Sequence, residues 1–439
     1  MIYIRVPEAF PSVKAEDLTC FIPVGGVAKR LRPLTYDVSK PCIRFMNRVL
    51  IEFPILTLAE QGVRNFIFGE QGYTNYTDLF DQFGDGTGFS AKYGINPRIR
   101  IMHQPNMDDL GSADSYRINV EYYDVKGPVI VVQGDNIFGI NLEDLMRWHE
   151  EKGALMTIAL FRVKNVEEYG VADVDDSMRI KSFVEKPPPG KAPSNLINAG
   201  IYLLAPEVRK IVGSDEVKKI LEERKRLDFG YDLIPYLVEK GFPVYGYEIN
   251  VWYDVGNPKE YLKAMLEILR GSIDIRMPEK MLALDRNVWI EEYEKESNRI
   301  KDDVLRKYRD GRITIEGAAL IGKHTSIGER TVIVDSCIDN YCIIGENVRI
   351  ERSAIMDAVK IGDNACIVDS IIGRKSTVES SPSNPTYIGE YSVVGNAVRI
   401  REGCRLVGTK VNPYLTIPPG MRYVNKYIED YKDVVQLAE

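Results

Sequence analysis

The chain has 439 residues, of which 44% are apolar and 28% charged, with a formal net charge of −7. That length exceeds what one hydrophobic core usually serves, so two or three domains are expected, and the acidic balance argues against a nucleic-acid coat. No run approaches the roughly 18 uninterrupted apolar residues of a membrane span, and the opening MIYIRVPEAFPSVKAEDL lacks a signal-peptide layout, so the expected location is cytoplasmic, away from membranes.

From residue 18 to about 268, apolar strand-like runs alternate with amphipathic helix-like ones: LTCFIPV, RVLIEFPILTLAEQG, NFIFGEQG, TDLFDQFG, then GPVIVVQGDN, LEDLMRWHEEKG and LMTIALFRV. The alternation predicts α/β units on a mixed, mainly parallel sheet of Rossmann-like type, whose ligands collect beyond the strand C-termini. At the first such exit stand Gly25 and Gly26, with Lys29, Arg30, Arg32 and Lys40 close behind. A Walker A loop needs GxxxxGK followed by Ser or Thr, and a dinucleotide loop needs GxGxxG entering a helix. GGVAKR fits neither, and Pro33 interrupts an early helix. What remains is a glycine turn whose backbone N–H groups can approach phosphate, with cations beside it.

Residues 270–313, including EEYEKESNRIKDDVLRKYRDG, are dense in charge and predict a linker helix. From Ile315 the period changes. Ile321, Ile327 and Ile333 stand six apart, and the pattern restarts at Ile338, Ile355 and Ile372, seventeen residues each time, with glycine after many of the branched residues. It resumes at Ile388 after the polar loop ESSPSNPT. A short period of branched aliphatic residues plus glycine predicts a β-solenoid and resembles the hexapeptide repeat of left-handed parallel β-helices. The expected domains are 1–268, a linker at 269–313, the β-helix at 314–424 and a tail at 425–439. Flat faces and apolar coil ends of such a helix invite association, so a homo-oligomer is expected.

The segment 25–41 resembles the signature of nucleoside-diphosphate-sugar pyrophosphorylases (sugar-1-phosphate nucleotidylyltransferases), GGxGTRLxPLT and then KP, at Gly25, Gly26, Arg30, Leu31, Pro33, Leu34, Thr35, Lys40 and Pro41. It departs at Ala28, where the family has glycine, and at Lys29, where it usually has threonine. A left-handed backbone at position 28 would cost alanine about 1 kcal/mol, while Lys29 adds attraction for a triphosphate. Later segments resemble the same family in the same order. The resemblance implies Gln104 and Gly111 at the base and nucleotide (HQPNMDDLGSADS), Asp135 as a metal and nucleotide ligand beside Asn136 (VIVVQGDN), and Tyr169 with Gly170 facing the sugar (EEYGVADV). It further implies Glu185 at sugar hydroxyls and Lys186 on the sugar phosphate (FVEKPPP), Asn198 and Gly200 (INAGIYLL), and Trp252 with a second metal carboxylate, Asp254 (VWYDVGNP).

The reaction so implied is attack of a hexose-1-phosphate oxygen on the α-phosphorus of a nucleoside triphosphate, expelling pyrophosphate. Both reactants are anions, so catalysis needs positioning and fixed charge more than a proton-transfer base. That assigns Arg30 and Lys40 to the β- and γ-phosphates, Lys186 to the sugar phosphate, and Mg²⁺ to Asp135 and Asp254. It also suits a chain whose three histidines, His103, His149 and His324, are too dispersed for a zinc site, as are the six cysteines (Cys20, Cys42, Cys337, Cys342, Cys366, Cys404) without CxxC spacing. The sequence slightly favours glucose-1-phosphate with dTTP or UTP and leaves mannose-1-phosphate with GTP, or glucose-1-phosphate with ATP, open. The rival readings are a non-catalytic regulatory subunit of the same fold and an added acetyltransferase activity in the β-helix, for which His324 is the single histidine.

Overall fold

A computed structural model describes residues 14–435 apart from residues 27, 105–107, 273–280, 286 and 292–298. The readings made on the first thirteen residues and on most of the charged stretch before residue 299 lie outside the described residues. Two compact units result, Met1–Gly26 with Ile51–Tyr253, and Val27–Leu50 with Asp254–Glu439. The signature segment therefore groups with the C-terminal part, a division that the domain reading at residue 268 does not contain.

The first unit is a mixed sheet of nine described strands. The strand Thr19–Val24 lies parallel to Asn65–Glu70 and Val129–Val132, and Asn65–Glu70 lies parallel to Arg100–Gln104. Cys20, Phe21, Ile22, Phe66, Ile67 and Phe68 are fully buried, as a parallel strand covered on both faces requires. Leu196–Leu204 then runs antiparallel to Val129–Val132, to Met156–Arg162 and to Gly170–Val174. The helices follow the apolar spacing: in Leu142–Glu151, Leu142, Leu145 and Met146 are buried, and the N-cap Asn141 accepts the Asp144 N–H at 3.1 Å.

The second unit contains a three-sided parallel β-helix. Ile333 pairs with Ile350 and that with Ile367, while on another side Ile327, Ile344, Ile361 and Val378 stack in register, seventeen residues per coil. After the polar loop, Val378 pairs with Ile400 and Ile400 with Ile417. These side chains are all within 3% of complete burial, each worth about 1.5–3 kcal/mol of apolar transfer. At one inner corner the Ser336 hydroxyl accepts the Ser353 N–H at 3.1 Å, and the Ser353 hydroxyl accepts the Ser370 N–H at 3.0 Å, so the buried turns keep their hydrogen bonds.

The β-structure is longer than the repeat suggests. Val288–Glu291 pairs parallel with Thr314–Ile321 ahead of the first periodic isoleucine, and Lys410–Val411 pairs with Tyr427–Ile428 beyond residue 424. The repeat is unreadable there because the branched residues that remain, Val288 and Ile290 at one end and Val411 and Ile428 at the other, no longer stand in a run of glycine-bearing hexapeptides. Both ends are covered by the chain itself, a correction to the expectation of bare apolar coil ends. Val304 and Leu305 of the helix Arg299–Arg309 join the β-helix core at one end, and Val434 of Tyr431–Val435 joins it at the other. Solenoids need such caps because their last coils have no neighbour. No described helix is long and apolar enough to cross a membrane.

Candidate active site

The residues singled out in the sequence fall into two groups, one in each unit. In the second unit, the short helical turns Lys29–Leu31 and Lys40–Cys42 present Arg30 and Lys40 to a single carboxylate: Arg30 Nη2 lies 4.0 Å from Asp254 Oδ2, and Lys40 Nζ lies 3.8 Å from Asp254 Oδ1. The Lys40 and Asp254 side chains are each 14% exposed, whereas Arg30 is 56% exposed. Gly256 permits this pose, since a Cβ there would stand 2.9 Å from both Asp254 oxygens. Ala28 does take up the left-handed backbone, at φ 42° and ψ 45°, and its carbonyl accepts the Thr35 hydroxyl at 2.9 Å, which holds the strained turn.

In the first unit lie the rest, several of them in contact with one another. Gly25 and Gly26 leave the strand Thr19–Val24, with Gly26 at φ +87°, and a Cβ on Gly25 would meet Gln71 Oε1 at 2.9 Å. Asp135 lies in the turn after Val129–Val132. Asn136 Nδ2 and Trp252 Nε1 both donate to the Ala199 carbonyl, at 3.3 and 2.9 Å, where the strand Leu196–Leu204 bulges at Asn198. The Asn198 Oδ1 accepts the Gly200 N–H at 2.9 Å, and Gly200 (φ +73°) lies against Gln133 and Asn136. Trp252 meets Tyr169 edge-on, ring centroids 5.5 Å apart, and the Tyr169 carbonyl accepts the Lys186 N–H at 3.0 Å.

Glu185 occupies a slot between two glycines: a Cβ on Gly170 or on Gly230 would fall 2.5 or 2.4 Å from its Oε2. Burial pushes the Glu185 carboxyl above its usual range, Lys186 draws it back and Asp228 pushes it further up. Asp228 Oδ1 in turn accepts the Ser112 N–H at 3.0 Å, and a Cβ on Gly111 (φ +132°) would meet that same oxygen at 2.9 Å. Gln104 ends its strand with a buried Oε1 that has no hydrogen-bond partner among the described residues. Asp228 and Gly230 were missed by the sequence reading. Their signal was a glycine inside the apolar run FGYDLIP, which reads there as ordinary helix-end punctuation.

Asp109, also missed, is 5% exposed, and burial first, with Asp114 and Asp228 adding, pushes its carboxyl up to about 6 from an ordinary 3.8, against the Ser115 hydroxyl and the Gly111 N–H. The folded chain thus keeps a proton that the unfolded chain loses as pH rises between those two values. The stabilisation is complete below the lower value and is lost as pH passes the upper one. Asp109→Asn keeps a neutral side chain throughout, so its melting temperature should improve relative to the parent as pH rises across this window. A constant difference in thermal unfolding from acid to neutral pH would contradict this.

Each of the three histidines has a partner within the fold. His103 bridges Glu70 Oε1 (2.8 Å) and the Gly84 carbonyl (2.7 Å), half-buried His149 meets Thr157 Oγ1 at 2.7 Å, and His324 stacks on Tyr341 with ring centroids 5.0 Å apart.

A mixed, mainly parallel α/β sheet with a glycine turn after its first strand, and a hexapeptide β-helix in the C-terminal part, form the architecture that the sequence motifs imply. Residues 21–271 match the family model described as nucleotidyl transferase, and the chain belongs to that family, among the sugar-1-phosphate nucleotidylyltransferases. Residues 311–426 match the model described as GMPPB C-terminal domain. The chain is 28% identical to a UTP–glucose-1-phosphate uridylyltransferase of Synechocystis sp., over 83% of this chain and 89% of that protein. It is likewise 28% identical to a mannose-1-phosphate guanyltransferase of Pichia angusta, over 90% and 95%. A crystal structure described as a glucose-1-phosphate thymidylyltransferase from Bacillus anthracis shares the fold, with a TM-score of 0.50 and 20% identity, covering 59% of this chain and 98% of that one.

Proposed function

We propose that the chain joins mannose-1-phosphate and GTP into GDP-mannose with release of pyrophosphate, using Mg²⁺, Arg30, Lys40 and Lys186. The C-terminal match to the GMPPB domain and the Pichia relative support this pair. A second reading, glucose-1-phosphate with UTP or dTTP, is supported by the Synechocystis relative and by the sequence itself.

The observation that carries the chemistry is the sharing of one carboxylate by two cations at 3.8 and 4.0 Å. Those distances are those of ion pairs, longer than direct charged hydrogen bonds. On this reading the triphosphate takes Arg30 and Lys40, and Asp254 and Asp135 would hold Mg²⁺, an ion that takes one or two carboxylates plus phosphate oxygens. The bound ion would neutralise charge on the departing pyrophosphate. Lys186 would hold the sugar phosphate, Glu185, Tyr169, Gly170, Asn198, Gly200 and Trp252 the sugar, and the free Gln104 Oε1 a donor on the base edge. The same reading includes association with a second copy through a face of the β-helix, since its ends are covered.

Pyrophosphate release measured with four triphosphates against glucose- and mannose-1-phosphate tests the pair. GTP with mannose-1-phosphate should give the highest kcat/KM. A higher value for UTP or dTTP with glucose-1-phosphate selects the second reading, and no turnover with any pair supports the regulatory one. No acetyl-CoA turnover is expected, His324 being engaged with an aromatic ring.

A further inference from the structure

We propose that one corner of the β-helix positions the catalytic cations: Asn396 and Tyr414 hold Asp37, and through it the segment that carries Arg30 and Lys40. The inference rests on the roles given to those two cations above.

Register along one side of the β-helix aligns Ile338, Ile355, Ile372, Val394 and Val411. Asp339, Asp357, Arg374, Asn396 and Tyr414 each follow one of these by one to three residues, so they form a polar line down a single corner. Its members are wired together. Arg374 donates from Nε to Asp357 Oδ1 at 2.6 Å, and its backbone N–H to Asn396 Oδ1 at 3.0 Å. With its oxygen so engaged, Asn396 turns its amide nitrogen to Asp37 Oδ1, 2.9 Å away, and the Tyr414 hydroxyl donates to Asp37 Oδ2 at 2.7 Å.

The other end of the segment is fixed on the same line. Arg44 forks onto Asp339 with two 2.6 Å bonds and lies 3.8 Å from Asp357, and Asn47 Nδ2 donates to the Ile338 carbonyl at 3.3 Å. Coils spaced by about 4.8 Å put Asp357 and Asn396 about 10 Å apart along the axis, well within the reach of the six residues between Asp37 and Arg44. Lys40 lies inside that clamped span, three residues from Asp37, and Arg30 seven residues before it. A span held at both ends fixes where Lys40 points, Asp37 anchors the C-terminal side of the turn that carries Arg30, and small misplacements of charged groups are costly in phosphoryl chemistry.

Arg44 is a poor probe, because its loss strands the buried Asp339 charge and unfolds the site. The test uses the full chain with the double substitution Asn396→Ala and Tyr414→Phe, alongside Asp37→Ala, Lys40→Ala and the triple combination with Asp37. Expected for the double variant is a drop in kcat of about 10- to 100-fold with a raised KM for the triphosphate. The KM for the hexose phosphate and the melting temperature should hold, and Asp37→Ala should cost as much alone but nothing more in the double background. Unchanged kinetic constants in the double variant, or a lowered melting temperature with intact kinetics, would overturn the proposal while Lys40→Ala still slows turnover about 10²–10³-fold. Full turnover by Lys40→Ala would instead sink the underlying reading of the cations, and the proposal with it.

Discussion

Replacing Lys40 with alanine is expected to slow pyrophosphate release by about 10²–10³-fold, the loss seen when one preorganised electrostatic group is removed from a reacting centre. Lys40 is singled out over Arg30 because its side chain is 14% exposed against 56%, so its charge is less screened and its position more fixed. Pro41 and Cys42 are buried in the same turn and anchor it. A group held before substrate arrives is not reorganised during reaction, which is where its advantage over solvent lies. Lys40→Arg should rescue poorly, since a planar fork cannot replace a compact ammonium at this spacing. Steady-state kcat and KM for the triphosphate at saturating sugar phosphate and Mg²⁺ check the claim, and wild-type turnover by Lys40→Ala would refute it.

The second large effect is on stability. Ile350 is fully buried and pairs with Ile333 on one side and Ile367 on the other, so Ile350→Ala opens a cavity that neither coil can close without breaking register. The expected cost is about 2–5 kcal/mol. Gly328→Ala should cost about 1–3 kcal/mol by the opposite route, because its Cβ would stand 2.4 Å from the backbone carbon and oxygen of Gly345 in the next coil. Denaturant unfolding of each variant, followed by circular dichroism, provides the measurement. Unfolding midpoints equal to the parent's would show that the coils do not depend on this stacking.

How much could be read beforehand differs sharply between the parts. The β-helix register was visible because a coil repeats one local requirement, a branched residue inward at each side, at a constant interval. Ile327, Ile344 and Ile361 pair as their spacing says. The Rossmann-like half was visible through apolar runs such as VIVV, all four of whose side chains are buried. The coil-end caps were not, since Val304 with Leu305 and Val434 with Val435 are short apolar pairs that carry no six-residue period.

The candidate site divides in the same way. Arg30, Lys40, Glu185, Gly170 and Trp252 could be named because each sits in a short contiguous motif, where neighbouring residues constrain one another through the local backbone. Gly230, walling the Glu185 carboxylate, and Asn396 and Tyr414, holding Asp37, could not. Their partners lie between 45 and 377 positions away, and their own surroundings read as a helix end and as solvated corners.

The amino-acid order by itself determined the strands, the coil register and the local glycine turn, because these follow from periodic burial and backbone freedom over a few residues. Only the tertiary structure decided that the segment after the first strand belongs with the β-helix, and that Asp254 faces two cations. Hydrogen bonds and ion pairs between distant polar side chains have no period, and become definite only once apolar packing has fixed where each carboxylate, amide and guanidinium stands.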